Sequence, residues 1–216
     1  MLDLGSCLGQ DVRKCIYDGA PSTNLYASDL FSEYEALSYE LWRDKATFPQ
    51  GHFMADDILA PNEAFTRGTL MTQLGPGQCD IISITMFLHL FNYANQLRAA
   101  TRILRLLAHK PGSLVLGSQA GSTTPGEVPL KPPFAGLREE GERRAVYRHN
   151  PESFEGLWKE AGRAAGVPLK VSAAFHAPDD FGKVKAVDEG FDITAKEKRY
   201  FTGAETRRLY FSVMRS

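Results

Sequence analysis

The sequence has little cysteine, no excess of charge of either sign and no hydrophobic run long enough to span a membrane. Its three cysteines, Cys7, Cys15 and Cys79, are odd in number and lack the spacing of metal ligands, so we expect reduced thiols, a cytoplasmic location and no bound metal. Lysine and arginine total 25 against 26 acidic residues, and this net charge of −1 argues against binding to nucleic acid or to an anionic membrane. The longest apolar stretch, residues 81–91, is shorter than the ~20 residues of a membrane span. No charged and apolar leader precedes the first predicted strand, so we expect no secretory signal.

Basic residues are nevertheless concentrated in three short segments. These are Arg138, Arg143, Arg144 and Arg148, then Lys196–Arg199, then Arg207–Arg208. Runs of like charge are usually solvated, so we interpret all three as exposed surface.

Strand-like and helix-like segments alternate along most of the chain. Short runs of apolar and β-branched residues predict strands at residues 1–4, 24–28, 52–55, 79–85, 113–118, 169–175 and 209–214. Apolar residues at helical spacing predict helices at residues 10–17, 32–43, 93–107 and 153–165. Residues 120–148 are rich in glycine, proline and charge, which predicts a long loop or insertion on the substrate side. No repeat or linker divides the chain, so we expect a single domain over residues 1–216.

This alternation predicts an α/β fold, with a mostly parallel, Rossmann-like sheet and helices on both faces. In such sheets, ligands bind beyond the carboxyl ends of the strands, where the strand order reverses. The residues that follow the first four predicted strands therefore form the candidate site.

A glycine-bearing loop, DLGSCLGQD, follows the first predicted strand. Gly5 and Gly9 bracket a tight turn, and the small side chains let a ligand approach the backbone closely. The G-x-x-x-G spacing differs from the G-x-G-x-x-G of dinucleotide folds, and no G-x-x-x-x-G-K-S/T phosphate loop occurs in the sequence. We therefore expect a nucleoside that carries an amino-acid tail, with an ordinary glycine turn as the alternative.

Acidic residues follow the second and third predicted strands. Asp29 comes about 20 residues after the glycine loop, where a carboxylate can accept hydrogen bonds from both ribose hydroxyls. Asp56 and Asp57 follow the third strand, where an adenine amino group would lie. The fourth strand continues into TMFLHLF, residues 85–91.

Together these motifs resemble the class I S-adenosylmethionine-dependent methyltransferases, and more narrowly the fungal small-molecule methyltransferases of meroterpenoid and polyketide pathways. Four stretches that cover nearly the whole chain carry the resemblance: LDLGSCLGQDVRKCIYDGAPSTNLYASDL, CDIISITMFLHLFNYANQ, LLAHKPGSLVLGSQ and RHNPESFEGLWKEAG. The resemblance implies a seven-stranded sheet of order 3-2-1-4-5-7-6 with strand seven antiparallel, and S-adenosyl-L-methionine as the cofactor. It also implies O-methylation of a carboxyl or hydroxyl group on a terpenoid or polyketide in secondary metabolism.

The family pattern implies the cofactor-binding residues one by one. Asp3, Gly5 and Gly9 surround the methionine part of the cofactor, and Asp29 binds the ribose with Leu30 beside the adenine. Asp57, or less favoured Asp56, binds the adenine amino group, with Ile58 as a neighbour. Thr85 and Phe87 lie where cofactor and acceptor meet.

His89 and His149 are the candidate catalytic residues. A carboxylate acceptor needs no base, whereas a hydroxyl acceptor benefits from one, and these two histidines belong to the LHLF and RHNPESF segments. Packing in the core is the alternative for His89. For His149, the alternative is that it simply precedes a helix whose N-cap is Asn150 and whose first residue is Pro151.

In the resembled family, a helical segment of some dozens of residues normally precedes the first strand, and we expect that segment to be missing here. Apolar surface near Met1, Leu2, Phe87, Leu88 and Phe91 would then be exposed, which predicts a homodimer. A small-molecule acceptor is the other expected partner. Two further functions remain open: a cofactor-binding cyclase or isomerase that does not methylate, and a partner-dependent subunit without catalysis.

Overall fold

A computed structural model describes residues 1–130, 145–175 and 206–216. The strands within these residues are β1 (Leu2–Leu4), β2 (Tyr26–Asp29), β3 (Phe53–Ala55), β4 (Ile81–Ser83), β5 (Leu114–Ser122), β6 (Gly126–Pro129), β7 (Ala145–Arg148), β8 (Leu169–Phe175) and β9 (Thr206–Arg215). The helices are α1 (Gln10–Tyr17), α2 (Glu33–Trp42), α3 (Asn62–Arg67), α4 (Tyr93–Leu106) and α5 (Pro151–Ala165). Short helical turns cover Ser22–Asn24, Leu70–Leu74 and Leu88–Leu90. Across the described ranges, no helix combines the length and the apolar character needed to cross a membrane.

Seven of the strands form one sheet in the order β3-β2-β1-β4-β5-β9-β8. All pairings among strands β1 to β5 are parallel, and β9 is antiparallel to both β5 and β8. The remaining strands, β6 and β7, form a separate two-stranded antiparallel sheet. When these two are left out of the count, the order is the predicted 3-2-1-4-5-7-6, so the predicted fold class is confirmed.

The long loop predicted over residues 120–148 is wrong at both of its ends. β5 continues to Ser122 because its nine residues all pair with β9. β6 then pairs with β7, from Gly126 opposite Arg148 to Pro129 opposite Ala145. The hydrogen bonds that form these strands join residues distant in sequence, so the local glycine and proline content did not reveal them. The predicted basic residues Arg138, Arg143 and Arg144, like Lys196–Arg199, lie outside the described residues.

Local capping sets the beginning of two helices. Asn150 caps α5: its side chain accepts a hydrogen bond from Ser153 N at 2.8 Å, and Ser153 Oγ accepts one from Asn150 N. Pro151 is the first residue of α5, so the predicted cap is confirmed. Asn92 caps α4 by accepting a bond from Asn95 N. The six-residue α3 was not predicted, because so short a helix leaves little apolar periodicity in the sequence.

Different helices cover the two faces of the sheet. The larger apolar cluster packs α4 and α5 against the sheet, with Leu2, Phe154 and Trp158 fully buried. The smaller cluster packs α1 and α2 over β2 and β3, through Val12 and Tyr39 among others. β1 pairs with β2 on one side and β4 on the other, and all of its residues are buried. The loop after β1 is therefore anchored at the centre of the molecule.

The predicted exposed apolar patch is wrong at two of its residues. Leu2 and Leu88 are fully buried, because β1 is central and the turn after β4 folds onto α4. Ile81, the first residue of β4, is 38% exposed. Leu30, Phe31 and Leu90 are also exposed, at 57, 53 and 56%, as are Leu37, Leu41 and Trp42 of α2.

Candidate active site

A cleft of about 620 Å³ opens at the carboxyl ends of β1 to β4. All predicted cofactor-binding residues except Gly9 line it: Asp3, Gly5, Asp29, Leu30, Asp56, Asp57, Ile58, Thr85 and Phe87. The other lining residues are Leu4, Ser6, Cys7, Gln10, Asp11, Phe31, Tyr34, Met86, Leu90, Phe91 and Arg208. Clefts of about 300–1,000 Å³ hold drug-sized ligands, so the space is suited to a nucleoside.

Asp29 joins the glycine loop to the end of β2. Its Oδ2 accepts a hydrogen bond from Cys7 N at 2.8 Å, and its Oδ1 accepts one from Leu30 N at 2.8 Å. Gly5 N also donates to the carbonyl of Ser28 at 2.8 Å. Each carboxylate oxygen has two lone pairs, so both oxygens of Asp29 keep a second acceptor position that a ribose hydroxyl can use.

Asp56 and Asp57 have different surroundings. Asp56 accepts bonds from two backbone groups, Asp57 N at 2.8 Å and Leu70 N at 2.7 Å. Gly68 packs against it so closely that a Cβ there would lie 2.5 Å from Asp56 Oδ2. Asp57 accepts a single bond, from Leu59 N at 2.8 Å, and its side chain is exposed at the cleft. The geometry favours Asp57 as the acceptor for an amino group, whereas Asp56 fixes the chain before Leu70.

Leu30 and Ile58 form apolar parts of the cleft wall. Leu30 follows β2 and is 57% exposed, whereas Ile58 follows β3 and belongs to the larger apolar cluster. Both line the same cleft. Apolar side chains between the acidic groups suit the faces of an aromatic base.

Asp3 is a buried carboxyl group within an acidic cleft. Its residue is only 3% exposed, and this burial raises the pKa of Asp3 from 3.8 to about 7. The neighbouring carboxylates of Asp11 and Asp29 raise it further, while a hydrogen bond with Ser83 opposes the rise. Asp3 is therefore divided between protonated and ionised forms near neutral pH. A cation in the cleft favours the ionised form.

The two loop glycines have different structural roles. Gly5 has φ +76°, and a Cβ there would lie 2.4 Å from the ring of Phe87. Gly9 has φ +67° and precedes α1, and a Cβ there would lie 2.6 Å from Arg13 Nη1. Gly9 is not among the residues that line the cleft, and its carbonyl accepts a hydrogen bond from Arg13 Nη1 at 3.3 Å.

Thr85, Met86 and Phe87 turn the chain at the end of β4. Met86 has φ +53°, which is uncommon for a residue with a side chain, and its N–H donates to the carbonyl of Ser118 at 2.6 Å. The ring of Phe87 packs edge-on against Phe91, with ring centroids 5.3 Å apart. These contacts hold Thr85 and Phe87 at the cleft wall.

The structure places neither predicted catalytic histidine among the residues that line the cleft. His89 lies in the short turn after β4 and is 8% exposed, and its Nδ1 has no hydrogen-bond partner among the described residues. Burial lowers the pKa of His89 to about 4, and the positive charges of Arg148 and Arg208 lower it further. His89 is therefore neutral at pH 7.

His149 is a core residue rather than an acceptor-facing one. Its Nδ1 lies 2.9 Å from Ser153 Oγ, and the rings of Tyr147 and Phe154 pack around it at 4.6 and 5.6 Å between centroids. The residue is fully buried, and burial lowers the pKa of His149 to about 4. The backbone of His149 is also held, because its carbonyl accepts a hydrogen bond from Ser122 N at 2.9 Å, just before the cap of α5.

Among the cleft residues that the sequence did not predict, Arg208 is the one with a positive charge. It was interpreted as solvated surface, yet its side chain lines the cleft. β9 is antiparallel, so its first residues lie beside the last residues of β5, with Arg208 opposite Ala120. The predicted topology contained this signal, since an antiparallel last strand begins at the edge where the parallel strands end.

The strand order, the antiparallel β9, the glycine loop after β1 and the acid after β2 together define the fold of the class I methyltransferases. Solved structures with this fold superpose on the chain. Phosphoethanolamine N-methyltransferase 2 of Haemonchus contortus, in complex with S-adenosylhomocysteine, has a TM-score of 0.60 at 15% identity over 99% of this chain and 48% of its own. The cyclase SpnF has a TM-score of 0.56 at 15% identity over 99% of this chain and 73% of its own.

Curated sequences are more similar. The O-methyltransferase atr3 of Stereocaulon alpinum is 36% identical over 215 residues, which cover 100% of this chain and 53% of that protein. The O-methyltransferase phiE of a fungal species is 33% identical over 217 residues, with 66% of its length covered. No family model matches the chain. The chain is therefore similar in sequence to fungal O-methyltransferases, the proteins that its motifs resemble, and it spans 53% and 66% of the lengths of these two proteins.

Proposed function

We propose that this chain is the S-adenosylmethionine-binding part of an O-methyltransferase that acts on a small molecule of secondary metabolism. The observation that carries the proposal is the convergence of Asp3, Asp29 and Asp57 on one cleft. S-adenosylmethionine carries a sulfonium and an ammonium group, and an acidic cleft attracts such a cation. The identity to fungal O-methyltransferases supports oxygen as the acceptor atom.

The described residues fit this cofactor. Asp29 offers acceptor positions to a ribose diol, and Asp57 offers one to an adenine amino group. Leu30 and Ile58 supply apolar walls for the base. When bound, the cofactor supplies a methyl group on a positively charged sulfur. Asp3 would then be held in its ionised form near that charge.

The chain's own residues contribute positioning and exclusion of water. An in-line transfer depends on alignment of the acceptor oxygen, which the rigid turn after β4 can provide because Met86 N is bound to Ser118. Phe87 and Phe91 form an apolar wall that excludes water. His89 and His149 lie outside the cleft lining, so the chain offers a carboxylate acceptor better support than a hydroxyl acceptor. The acceptor that we propose is a terpenoid or polyketide with such a group.

Two measurements on the purified protein test the proposal. Titration calorimetry with S-adenosylhomocysteine should show saturable binding at one site. Incubation with methyl-labelled S-adenosylmethionine and a panel of small terpenoid and aromatic acids should give a labelled ester. Absence of saturable binding would refute the cofactor assignment, and binding without transfer to any acid would refute the transferase assignment.

A second candidate function is a cofactor-binding cyclase or isomerase. The fold of this chain also occurs in the cyclase SpnF, so the fold alone does not decide between the two reactions. The labelled-methyl assay separates them, because a cyclase would convert its substrate and leave the label on the cofactor. A partner-dependent, non-catalytic subunit would do neither.

We also propose a homodimer and a cytoplasmic location. Leu37, Leu41 and Trp42 of α2 are 49, 59 and 44% exposed, a row of apolar groups that a second copy can cover. Cys7, Cys15 and Cys79 are all free thiols, which is compatible with a reducing compartment. Sedimentation should show a dimer for the parent and a monomer for Leu41→Glu; a monomeric parent would refute the dimer.

A further inference from the structure

The charged residues that line the cleft are separated by sign. Carboxyl groups belong to the side formed by β1, β2, β3 and α1, with Asp29 at the end of β2. Among the described lining residues, Arg208 of β9 is the one that carries a positive charge. In the sheet, β4 and β5 lie between these two sides. The cleft therefore has an acidic side for a cationic cofactor and a basic side near the turn after β4.

The guanidinium of Arg208 is held in place by a neutral partner. Its Nε and Nη2 donate to Ser118 Oγ at 3.1 and 2.7 Å, and its Cζ lies 5.7 Å from the centroid of the Tyr210 ring. No carboxylate within the described part of the chain pairs with it. A guanidinium has five N–H donors, so the contacts with Ser118 leave donors for a ligand. Ser118 is itself tied to the turn after β4, because its carbonyl accepts the N–H of Met86 at 2.6 Å.

A second guanidinium reinforces the positive charge at the same place. Arg148 Nη1 contacts the carbonyl of Ala120 at 3.4 Å, and Ala120 is the residue opposite Arg208 in the sheet. Arg148 is half-buried, and within the described ranges its side chain donates to the carbonyl groups of His89 and Ala120. Burial and then the charges of Arg148 and Arg208 lower the pKa of His89 to about 4, so this histidine is neutral and adds no charge here.

We infer that Arg208 determines acceptor specificity by binding a carboxylate of the acceptor, with Ser118 as the residue that positions it. A planar guanidinium matches a carboxylate through two parallel hydrogen bonds, and such charge-assisted bonds are stronger and more directional than neutral ones. The inference rests on the proposed function, because it assigns the acceptor side of the same cleft. It extends that proposal by naming the group that selects the acceptor.

The experiment compares acids with their own methyl esters, which differ in charge and little in shape. The probes are farnesoic acid and methyl farnesoate, and 6-methylsalicylic acid and its methyl ester. Calorimetry measures their affinities with and without saturating S-adenosylhomocysteine. The variants are Arg208→Gln, Arg208→Lys, Ser118→Ala and the matched control Arg207→Gln, which removes the same charge from an exposed neighbour that does not line the cleft. Far-UV circular dichroism and thermal unfolding verify the fold of each variant.

We expect the parent to bind at least one acid about tenfold or more tightly than its ester. Arg208→Gln should abolish that preference and leave affinity for S-adenosylhomocysteine unchanged, whereas Arg207→Gln should keep the preference. Arg208→Lys, which keeps charge without the planar fork, should retain part of it. Ser118→Ala should weaken acid binding in the parent and have no further effect in Arg208→Gln, since the two residues act as a unit.

Equal binding of acids and esters by the parent would overturn the inference, as would a preference that persists in Arg208→Gln. Failure to bind either acid would overturn it as well. These outcomes are separate from failure of the proposed function, because acid binding is also measured without S-adenosylhomocysteine. A parent that prefers acids but does not bind S-adenosylhomocysteine would refute the proposed function and keep the role of Arg208.

Discussion

The N–H of Cys7 donates to Asp29 Oδ2 at 2.8 Å, and this hydrogen bond joins the loop after β1 to the end of β2. Cys7 has φ +51°, so the bond accompanies a backbone conformation that non-glycine residues rarely adopt. Asp29 thus shapes the glycine loop as well as offering oxygens to a ligand. Its substitution should therefore affect the loop and the bound nucleoside together.

The first prediction concerns the affinity of Asp29→Ala for S-adenosylhomocysteine. Charge-assisted bonds to ribose hydroxyls contribute about 1.5–3 kcal/mol, so we expect affinity to fall roughly tenfold to hundredfold. Titration calorimetry measures it. Glu40→Ala, an exposed acid of α2 outside the cleft lining, should bind like the parent. Unchanged affinity in Asp29→Ala would show that this residue does not bind the ribose.

The second prediction separates Asp56 from Asp57. Asp56 accepts two backbone N–H groups, so Asp56→Ala should lower the free energy of unfolding by about 1–3 kcal/mol. Asp57→Ala should leave stability nearly unchanged and weaken S-adenosylhomocysteine binding. Urea unfolding and calorimetry on the same two variants test both halves. If Asp57→Ala is instead destabilised and binds S-adenosylhomocysteine normally, the roles assigned to Asp56 and Asp57 would be exchanged.

The third prediction is a pH dependence that arises from Asp3. Burial raises the pKa of Asp3 from 3.8 to about 7, so the folded protein binds a proton that the unfolded chain releases between these values. The stability that this proton contributes is present below pH 4 and is lost as pH rises through 7. Asp3→Asn stays neutral, so its stability relative to the parent should increase from pH 5 to pH 8, by about 3 kcal/mol at most.

Urea unfolding of parent and Asp3→Asn at the two pH values measures this difference. The comparison cancels the histidines: burial lowers the pKa of both His89 and His149 to about 4, so their contribution is lost as pH falls below 6.5 in both proteins. A stability difference that does not change with pH would contradict the pKa of Asp3.

The fourth prediction tests the contact between Gly5 and Phe87. Gly5→Ala introduces a Cβ 2.4 Å from the Phe87 ring in a backbone of φ +76°, so we expect weaker S-adenosylhomocysteine binding and a loss of about 1 kcal/mol of stability or more. Gly19→Ala is the matched control, because Gly19 also has positive φ but has no atom within 4 Å of the added Cβ. Removing the ring in Gly5→Ala/Phe87→Ala should recover part of the lost binding. No recovery would assign the effect to backbone strain alone.

The fifth prediction concerns the role of His149. Ser153 Oγ contacts both His149 Nδ1 and Asn150 N, so Ser153→Ala should lower stability by about 1–2 kcal/mol through the lost cap and the unpaired ring. Cofactor affinity should not change. Glu152→Ala, an exposed position in the same turn, should retain parental stability. A large loss of methyl transfer in Ser153→Ala without loss of stability would restore His149 as a catalytic residue.

The strand order was implied by the resemblance of the sequence to the class I methyltransferases, and most of the acidic side of the cleft followed from the same motifs. The buried run around Ile82, the glycine loop and the acid at residue 29 are local signals, because each depends on residues close together in the chain. Once a mostly parallel sheet is inferred, its topology brings the ends of β1, β2 and β3 to the same edge. Asp3, Asp29 and Asp57 could therefore be assigned to one cleft from the sequence.

Long-range packing, which local sequence patterns do not contain, sets which residues outside those strand ends belong to the cleft. Arg208 reaches the cleft through the pairing of β9 with β5, and the ring of His149 packs in the core against Tyr147 and Phe154. β6 and β7 likewise form because they pair with each other, although they are distant in sequence. The direction of a side chain and the pairing of distant strands depend on which residues pack against them. Local periodicity in the sequence does not indicate which residues these are.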